Sequence, residues 1–516
     1  MQSAFTALLA AIVLALITRK LLKTTKEKKL FPPGPKGLPL IGNALDFPTE
    51  NLGPAYTQWG KQYNSKLISP LMKGDILHAS AFGSHVIIVN NRQMADELFD
   101  RRAVKHSDRP SLPALDLSGM TSYNLGVMRY GDKWRLRRKH ALQIFRQAAS
   151  PPNDFSNTIV DGVHKALKGL LHSPENLWDH NKMLSISIPM SSMYGYDAKS
   201  TDDPCIVAAD QTFTLGMELS SPGGSLINII PLLRHIPPWI PGAISQRKAE
   251  VSRKLTELMI SIPLEFTKAR VAEGNARPSV VGNFLEKKNT VGVSEEEEEA
   301  VMSVASTAYA AGSDTTQSAT GTFLYLMVLH PDIQKKAQAE IDSVLGGKRL
   351  PTYEDRPSMP YIEAIYREVL RWRPPGSVGF PHSSTEDDFY GGYFIPKGST
   401  LMANIWAMTH DETRYENPLS FNPERFINPD GTLNDDDRIM AFGFGRRYVR
   451  ELILWLTFAS ILAVFNLENA KDKSGNIIKV NDEYYEFGLI SRKKPFECSI
   501  LPRSDASREL VEQLDA

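Results

Sequence analysis

Ala311-Gly312-Ser313-Asp314-Thr315-Thr316 stands deep inside a stretch of helix-period sequence running from Glu295 to Leu329. Glycine and β-branched threonine are poor residues for a helix interior, the first for backbone entropy and the second for side-chain crowding. A local rule broken inside an otherwise consistent helix marks a π-type bulge or a functional site. Asp314 and Thr315 put a carboxylate beside a hydroxyl, a pair able to relay protons. A helix kink whose polar pair faces solvent is the other reading. Upstream, Ser294 and Glu297 have capping-box spacing, and the acids from Glu295 to Glu299 suit the first turn of a helix dipole. That charge run reads as a helix start and not as a binding site.

Outward from this helix, further helical periods cover residues 332–345, 361–372 and 451–465, while strand-like stretches are short: 85–89, 388–395, 477–480 and 496–500. The expected fold is mainly α with small β-sheets (α+β), in one large domain over residues 44–516. The apolar stretch at 451–465 is too short for a bilayer and contains Thr457 and Ser460, so it reads as a buried core helix.

Residues 4–17 are apolar apart from Thr6, and Leu21 and Leu22 extend the run past Arg19 and Lys20. Residues 1–22 therefore read as a retained membrane anchor helix with snorkelling basic side chains. The cluster Arg19, Lys20, Lys23, Lys26, Lys28 and Lys29 follows the run, which by the positive-inside tendency keeps the rest of the chain cytosolic. Residues 23–43 form a basic and Pro-rich linker whose second half, Phe31-Pro32-Pro33-Gly34-Pro35 through Asn43, should be a stiff, extended spacer.

Composition narrows the function. Lys+Arg is 59 and Asp+Glu is 59, so there is no basic surplus to displace counterions from nucleic acid. Cys205 and Cys498 are the only cysteines among 516 residues, which excludes a disulfide framework and a Cys-rich zinc site. No Asn-x-Ser/Thr sequon occurs.

Four more motifs complete the picture. Glu368 and Arg371 lie three apart on one helical face, which alone would be a common surface pair. Trp372-Arg373-Pro374-Pro375 then stops the helix, and Phe421-Asn422-Pro423-Glu424-Arg425-Phe426 follows. Trp134-Arg135-Leu136-Arg137-Arg138 sits in a basic helix, Lys133 to His140, which alone could be a solvated cationic face. His382 follows Phe380-Pro381. Phe442-Gly443-Phe444-Gly445-Arg446-Arg447 precedes the apolar helix.

Together these motifs resemble a cytochrome P-450, a haem-thiolate monooxygenase, of the fungal membrane-anchored type, over essentially the whole chain. The resemblance implies haem b as cofactor and electrons from NADPH through a reductase. It implies that Thr315 hydrogen-bonds oxygen, that Asp314 feeds protons, and that Trp134, Arg138, His382 and Arg447 bind the haem. Glu368, Arg371 and Arg425 would form a structural network serving folding and haem insertion. Arg135, Arg137 and Lys139 would face the acidic reductase, where charge speeds encounter. Localisation follows as a single pass in the endoplasmic reticulum membrane, with the catalytic domain cytosolic. The substrate would be a lipophilic small molecule of secondary or xenobiotic metabolism, lined by the loop after Arg109, residues 221–239, the helix around Ala311, residues 376–381 and residues 487–490.

The chain departs from the family at one place. The signature continues past Gly-x-Arg to an axial Cys and a Gly, but here the sequence runs Arg447-Tyr448-Val449-Arg450-Glu451. Read without gaps, Val449 replaces the Cys; read as a deletion, the ligand and its turn are missing after Arg447. No metal ligand remains: Cys498 has the alternation of a strand core residue and Cys205 that of a packed helix residue. Tyr448 could in principle offer a phenolate. Three readings follow: an altered or mis-spliced copy of an active monooxygenase, a haem-deficient inactive paralogue, or a membrane protein binding apolar ligands.

Overall fold

The computed structural model describes residues 30–63, 75–148, 154–220, 224–444, 453–487 and 489–514. The anchor expected over residues 1–22 and the basic part of the linker lie outside these residues. Among the described residues no helix is long and apolar enough to cross a membrane.

The helix Glu295–Leu329 forms as expected, with Ser294 Oγ accepting from the Glu297 N–H at 3.2 Å. Its last turns, from Phe323 to Val328, are apolar on every side and correspondingly buried, including Phe323, Leu324 and Met327. It packs against Leu177–Tyr194, Asp132–Ala148 and Ile453–Val464. The last of these is the apolar stretch read as a core helix. Its Phe458 ring stacks on Phe323 with centroids 4.0 Å apart and planes 6° from parallel. Pro331–Leu345 and Pro360–Trp372 complete this helical core.

The strands are short. In chain order they are β1 (Ile76–Ala81), β2 (Ser84–Val89), β3 (His382–Ser383), β4 (Asp388–Tyr390), β5 (Tyr393–Ile395), β6 (Thr400–Ala403), β7 (Phe465–Asn469), β8 (Tyr484–Phe487), β9 (Ile490–Lys493) and β10 (Cys498–Pro502). The largest sheet has the order β1-β2-β6-β3, with β2 and β6 parallel and the other pairs antiparallel. The remaining strands pair as β4–β5, β7–β10 and β8–β9.

Three expectations are corrected. The strand read over 388–395 is a hairpin, broken at Gly391 and Gly392, whose φ values of 57° and 82° suit only a tight turn. Residues 477–480 form no strand: Ile477 makes a single bridge to Lys471 and is 63% exposed. The Pro-rich linker is no free spacer, because its described part is strapped to the sheet. The Pro33 carbonyl accepts from the His78 N–H at 2.8 Å, and the Leu30 carbonyl from the Phe394 N–H at 2.7 Å. Phe31 stacks on His78 at 4.6 Å.

Candidate functional site

The Ala311–Thr316 turn stays regular α-helix, with neither bulge nor break. Its two polar residues are split between environments. Asp314 is buried, and its carboxylate pairs with Arg492 on β9 at 3.2 Å. Burial pushes the Asp314 carboxyl up to about 6, against the Arg492 charge, which pulls it down. The Arg492 guanidinium also donates to Gln317 Oε1 at 3.2 Å. Thr315 turns to the other side and donates to the Ala311 carbonyl at 2.9 Å. Ala311 itself is exposed although it lies mid-helix, and Thr315 one turn on is only half-buried. These two leave a short open stripe, while Ala308 packs on the cluster of Met193 and Tyr194 and Gly312 faces Pro189 of the neighbouring helix.

Beside this stripe, several segments are tied together by named bonds. The Tyr123 carbonyl accepts from the hydroxyls of Ser303 and Thr307, and Thr307 accepts from the Leu125 N–H at 3.1 Å. Asp108 accepts from the Tyr130 N–H at 2.7 Å, while its own carbonyl holds the Ser383 N–H at 2.8 Å. Arg109 was not singled out as a site residue, yet it is the hub here. Its buried guanidinium donates to the carbonyls of Gly126 at 2.6 Å, Phe380 at 3.1 Å and Pro381 at 2.7 Å. His382 is buried and its Nδ1 meets the His106 carbonyl at 2.6 Å. The Phe99 ring packs edge-on to His382 at 4.8 Å and tilted on Phe444 at 5.8 Å. The start of the 442–447 motif is thus brought next to His382.

The helix Asp132–Ala148 carries Trp134 and Arg138 one turn apart. Trp134 is buried against Tyr130 at 5.2 Å. Arg138 is half-buried, burial lowers its pKa, and among the described residues it has no anionic partner. An uncompensated, partly desolvated guanidinium is costly, so its place suits an anion that the described residues do not supply. Arg137 corrects the expectation of a reductase-facing cation. It is buried, donating to Met128 Sδ at 3.0 Å and pairing with Glu299 at 2.6 Å. The acidic run therefore does more than start a helix. Arg135 and Lys139 are exposed as expected.

The structural network is present in full. Glu368 is fully buried. Its Oε2 accepts from Arg371 Nε at 2.6 Å; its Oε1 accepts from Arg371 Nη2 at 2.8 Å, the Asn422 N–H at 2.8 Å and Arg425 Nε at 3.1 Å. Arg371's other guanidinium hydrogens go to the carbonyls of Thr409, Pro418 and Ser420, and Arg425 donates further to the carbonyls of Glu416 and Ser420. A buried ion network survives only when satisfied in this way.

The model of the cytochrome P450 family matches residues 32–488. The chain belongs to the cytochrome P450 family. It is 37% identical over 489 residues to cytochrome P450 monooxygenase 208 of Postia placenta, covering 93% of this chain and 92% of that one. It is 38% identical over 495 residues to cytochrome P450 monooxygenase ple1 of Rhodocybe pseudopiperita, covering 94% and 92%. To cytochrome P450 monooxygenase COX2 of Coprinopsis cinerea it is 35% identical over 518 residues, covering 97% and 95%.

A cytochrome P450 implies haem, and the residues can be tested for fit. For the haem carboxylates they fit: Arg138 is a partly buried cation lacking an anion among the described residues, with Trp134 beside it on the helix. For the iron they do not. Arg447 and Val449 lie outside the described residues, and the sequence there holds no sulfur ligand. Cys205 is fully buried, 3.6 Å from the Met259 carbonyl and 3.7 Å from the Tyr309 hydroxyl. Cys498 opens β10, paired with Asn469. Burial pushes both thiols up to about 12, far from the thiolate state a metal needs. Among the described residues no cluster of His, Cys, Asp and Glu could hold a metal ion.

Proposed function

We propose that the site is that of an NADPH- and reductase-dependent monooxygenase for a lipophilic small molecule of fungal secondary or xenobiotic metabolism, and that this chain, as its sequence stands, holds such a molecule without oxygenating it. The observation that carries the second half is the sequence Gly445-Arg446-Arg447-Tyr448-Val449, where the family's axial Cys is missing. The first half is supported by the curated fungal relatives named monooxygenases. Ala311, exposed in the middle of the long helix, and Phe380, which is 42% exposed, support an apolar ligand.

In this reading residues 1–22 anchor the chain in the endoplasmic reticulum membrane with the domain cytosolic, and exposed Arg135 and Lys139 meet the reductase. Asp314, held by Arg492, gains and loses its proton near pH 6, closer to neutrality than an ordinary carboxyl, at the helix turn beside the pocket. The Glu368, Arg371 and Arg425 lock holds the fold and takes no part in chemistry. The test is oxygen insertion into a panel of terpenoids, polyketides and aromatic hydrocarbons with reductase and NADPH. The unmodified chain should give no product, and a variant with Ile-Cys-Pro-Gly-Arg inserted after Arg447 should give some. Product from the unmodified chain would overturn the reading.

A further inference from the structure

We propose that His78 and His85 form an acid-sensitive catch for the segment Leu30–Gly34: at neutral pH the segment is docked on the sheet edge, and protonation of the two rings lifts it off. Neither haem nor the missing axial ligand enters into it.

β1 is the outer strand of the sheet β1-β2-β6-β3, and an edge strand needs partners for its outward N–H groups. The segment supplies them from its backbone. The Pro33 carbonyl takes the His78 N–H at 2.8 Å, and the Leu30 carbonyl takes the Phe394 N–H of β5 at 2.7 Å. A Cβ on Gly34 would stand 1.9 Å from the His78 carbonyl oxygen, so the two backbones are in contact. Side chains close the joint. His78 Nε2 and His85 Nδ1 are 2.9 Å apart, one donating and the other accepting. Their ring planes lie 29° apart, and the Phe31 ring stacks on both, with centroids at 4.6 and 5.2 Å. Phe31 thus covers the imidazole pair.

Two imidazoles share a proton only while at least one ring is neutral; with both protonated, two N–H groups point at each other. Burial, reinforced by the neighbouring ring, holds His78 down at about 4, and burial lowers His85 as well. Among the described residues, the elements packed here offer no carboxylate to favour the charged forms. β1 and β2 carry no other titratable side chain and β6 carries none. β5 brings only Tyr393, which burial keeps neutral, and the next charge along the segment is exposed Lys36. Both rings hold protons less well when covered, so protons favour the lifted segment. Docking is complete above the ordinary histidine value of 6.5 and is lost as pH falls toward about 4. A second tie further along does not depend on the rings: Asn43 Oδ1 accepts from the Ser80 N–H at 3.1 Å, and Asn43 Nδ2 donates to the Pro35 carbonyl at 3.1 Å. Acid therefore frees residues 30–34 and leaves Asn43 in place.

The test is hydrogen–deuterium exchange on the full chain in detergent at about pH 7.5 and about pH 5. Rates are corrected for the intrinsic pH dependence and read at the His78, Phe394 and Ser80 amides. Opening at His78 and Phe394 should rise between about fivefold and about thirtyfold at the lower pH, the upper figure being the ceiling for His78 alone moving from about 4 to 6.5. The Ser80 amide should stay within about twofold. The double change His78→Phe with His85→Phe keeps flat faces under Phe31 and removes the titration, so its His78-position and Phe394 amides should open equally at both pH values. Phe31→Ala, at a half-buried position, should open the segment already at about pH 7.5 and abolish most of the pH response; it decides the matter if the double variant does not fold. The catch is overturned by equal protection of the parent's His78 and Phe394 amides at the two pH values, or by Ser80 opening in step with them, which would mark a general acid loosening. An acid response that persists in the double variant, or a Phe31→Ala chain as protected as the parent, overturns it equally.

Discussion

Replacing Glu368 with Gln tests the structural lock, because the change keeps shape and removes charge. The carboxylate accepts from Arg371 twice, from Arg425 and from the Asn422 N–H, all in a fully buried setting. An amide keeps one acceptor oxygen and turns an NH₂ group toward an arginine donor, leaving two buried guanidinium groups undercompensated. Breaking a buried pair in this way costs about 3–5 kcal/mol. With an unfolding entropy of about 2.1 cal/mol/K per residue, the 516-residue chain loses on the order of 1 °C per kcal/mol. Glu368→Gln should therefore lower the melting temperature by about 3–5 °C at matched scan rate. The double change Glu368→Leu with Arg371→Leu should cost clearly less than the sum of its parts, since neither leaves the other's charge buried. A Glu368→Gln variant melting within about 1 °C of the parent, or strict additivity in the double variant, would refute the reasoning.

The Asp314 carboxyl, ordinarily near 3.8 and raised by burial to about 6, holds its proton in the folded state where the unfolded chain has lost it. Its contribution to stability is complete below about 3.8 and is lost as pH rises through about 6; Asp314→Asn should flatten urea-midpoint profiles across that window, and an unchanged slope would contradict the assignment. Gly34→Ala places a Cβ 1.9 Å from the His78 carbonyl oxygen, so the linker should detach from β1 and become open to limited proteolysis near Pro33; an unchanged digestion pattern would show that the strap is not needed. Deleting residues 1–29 should release the protein, at least partly, from microsomal membranes, and full retention on sedimentation would count against the anchor.

Much of the architecture was legible because its signals are local. Ser294 at one end and His330-Pro331 at the other bound the long helix, and the spacing of Glu368 and Arg371 put both on one face. Arg137 was misplaced because the basic run was read as one cationic face. The helical period of buried Trp134, Arg137 and Ala141 carries the correction. Arg109 escaped because its partners are backbone carbonyls from distant segments, which leave no side-chain pattern in the sequence. Arg492 escaped for a similar reason, since only tertiary folding brings β9 to Asp314. The 477–480 stretch has strand-like residues but pairs with no neighbouring strand, and an isolated β run has nothing to bury against. The absent ligand, by contrast, is a fact of sequence alone.

The carbon monoxide difference spectrum of the purified, reduced full-length protein tests the central claim most directly, measured beside the variant carrying Ile-Cys-Pro-Gly-Arg after Arg447. The unmodified chain should give no thiolate-type Soret band. The insertion variant should give one, because Trp134, Arg138, Asp314, Thr315, Glu368, Arg371 and Arg425 are already in place, and Val449→Cys alone should do much less because it restores no turn. A normal thiolate-type band from the unmodified chain would contradict the account and force Cys205 or Cys498 into a role their packing denies.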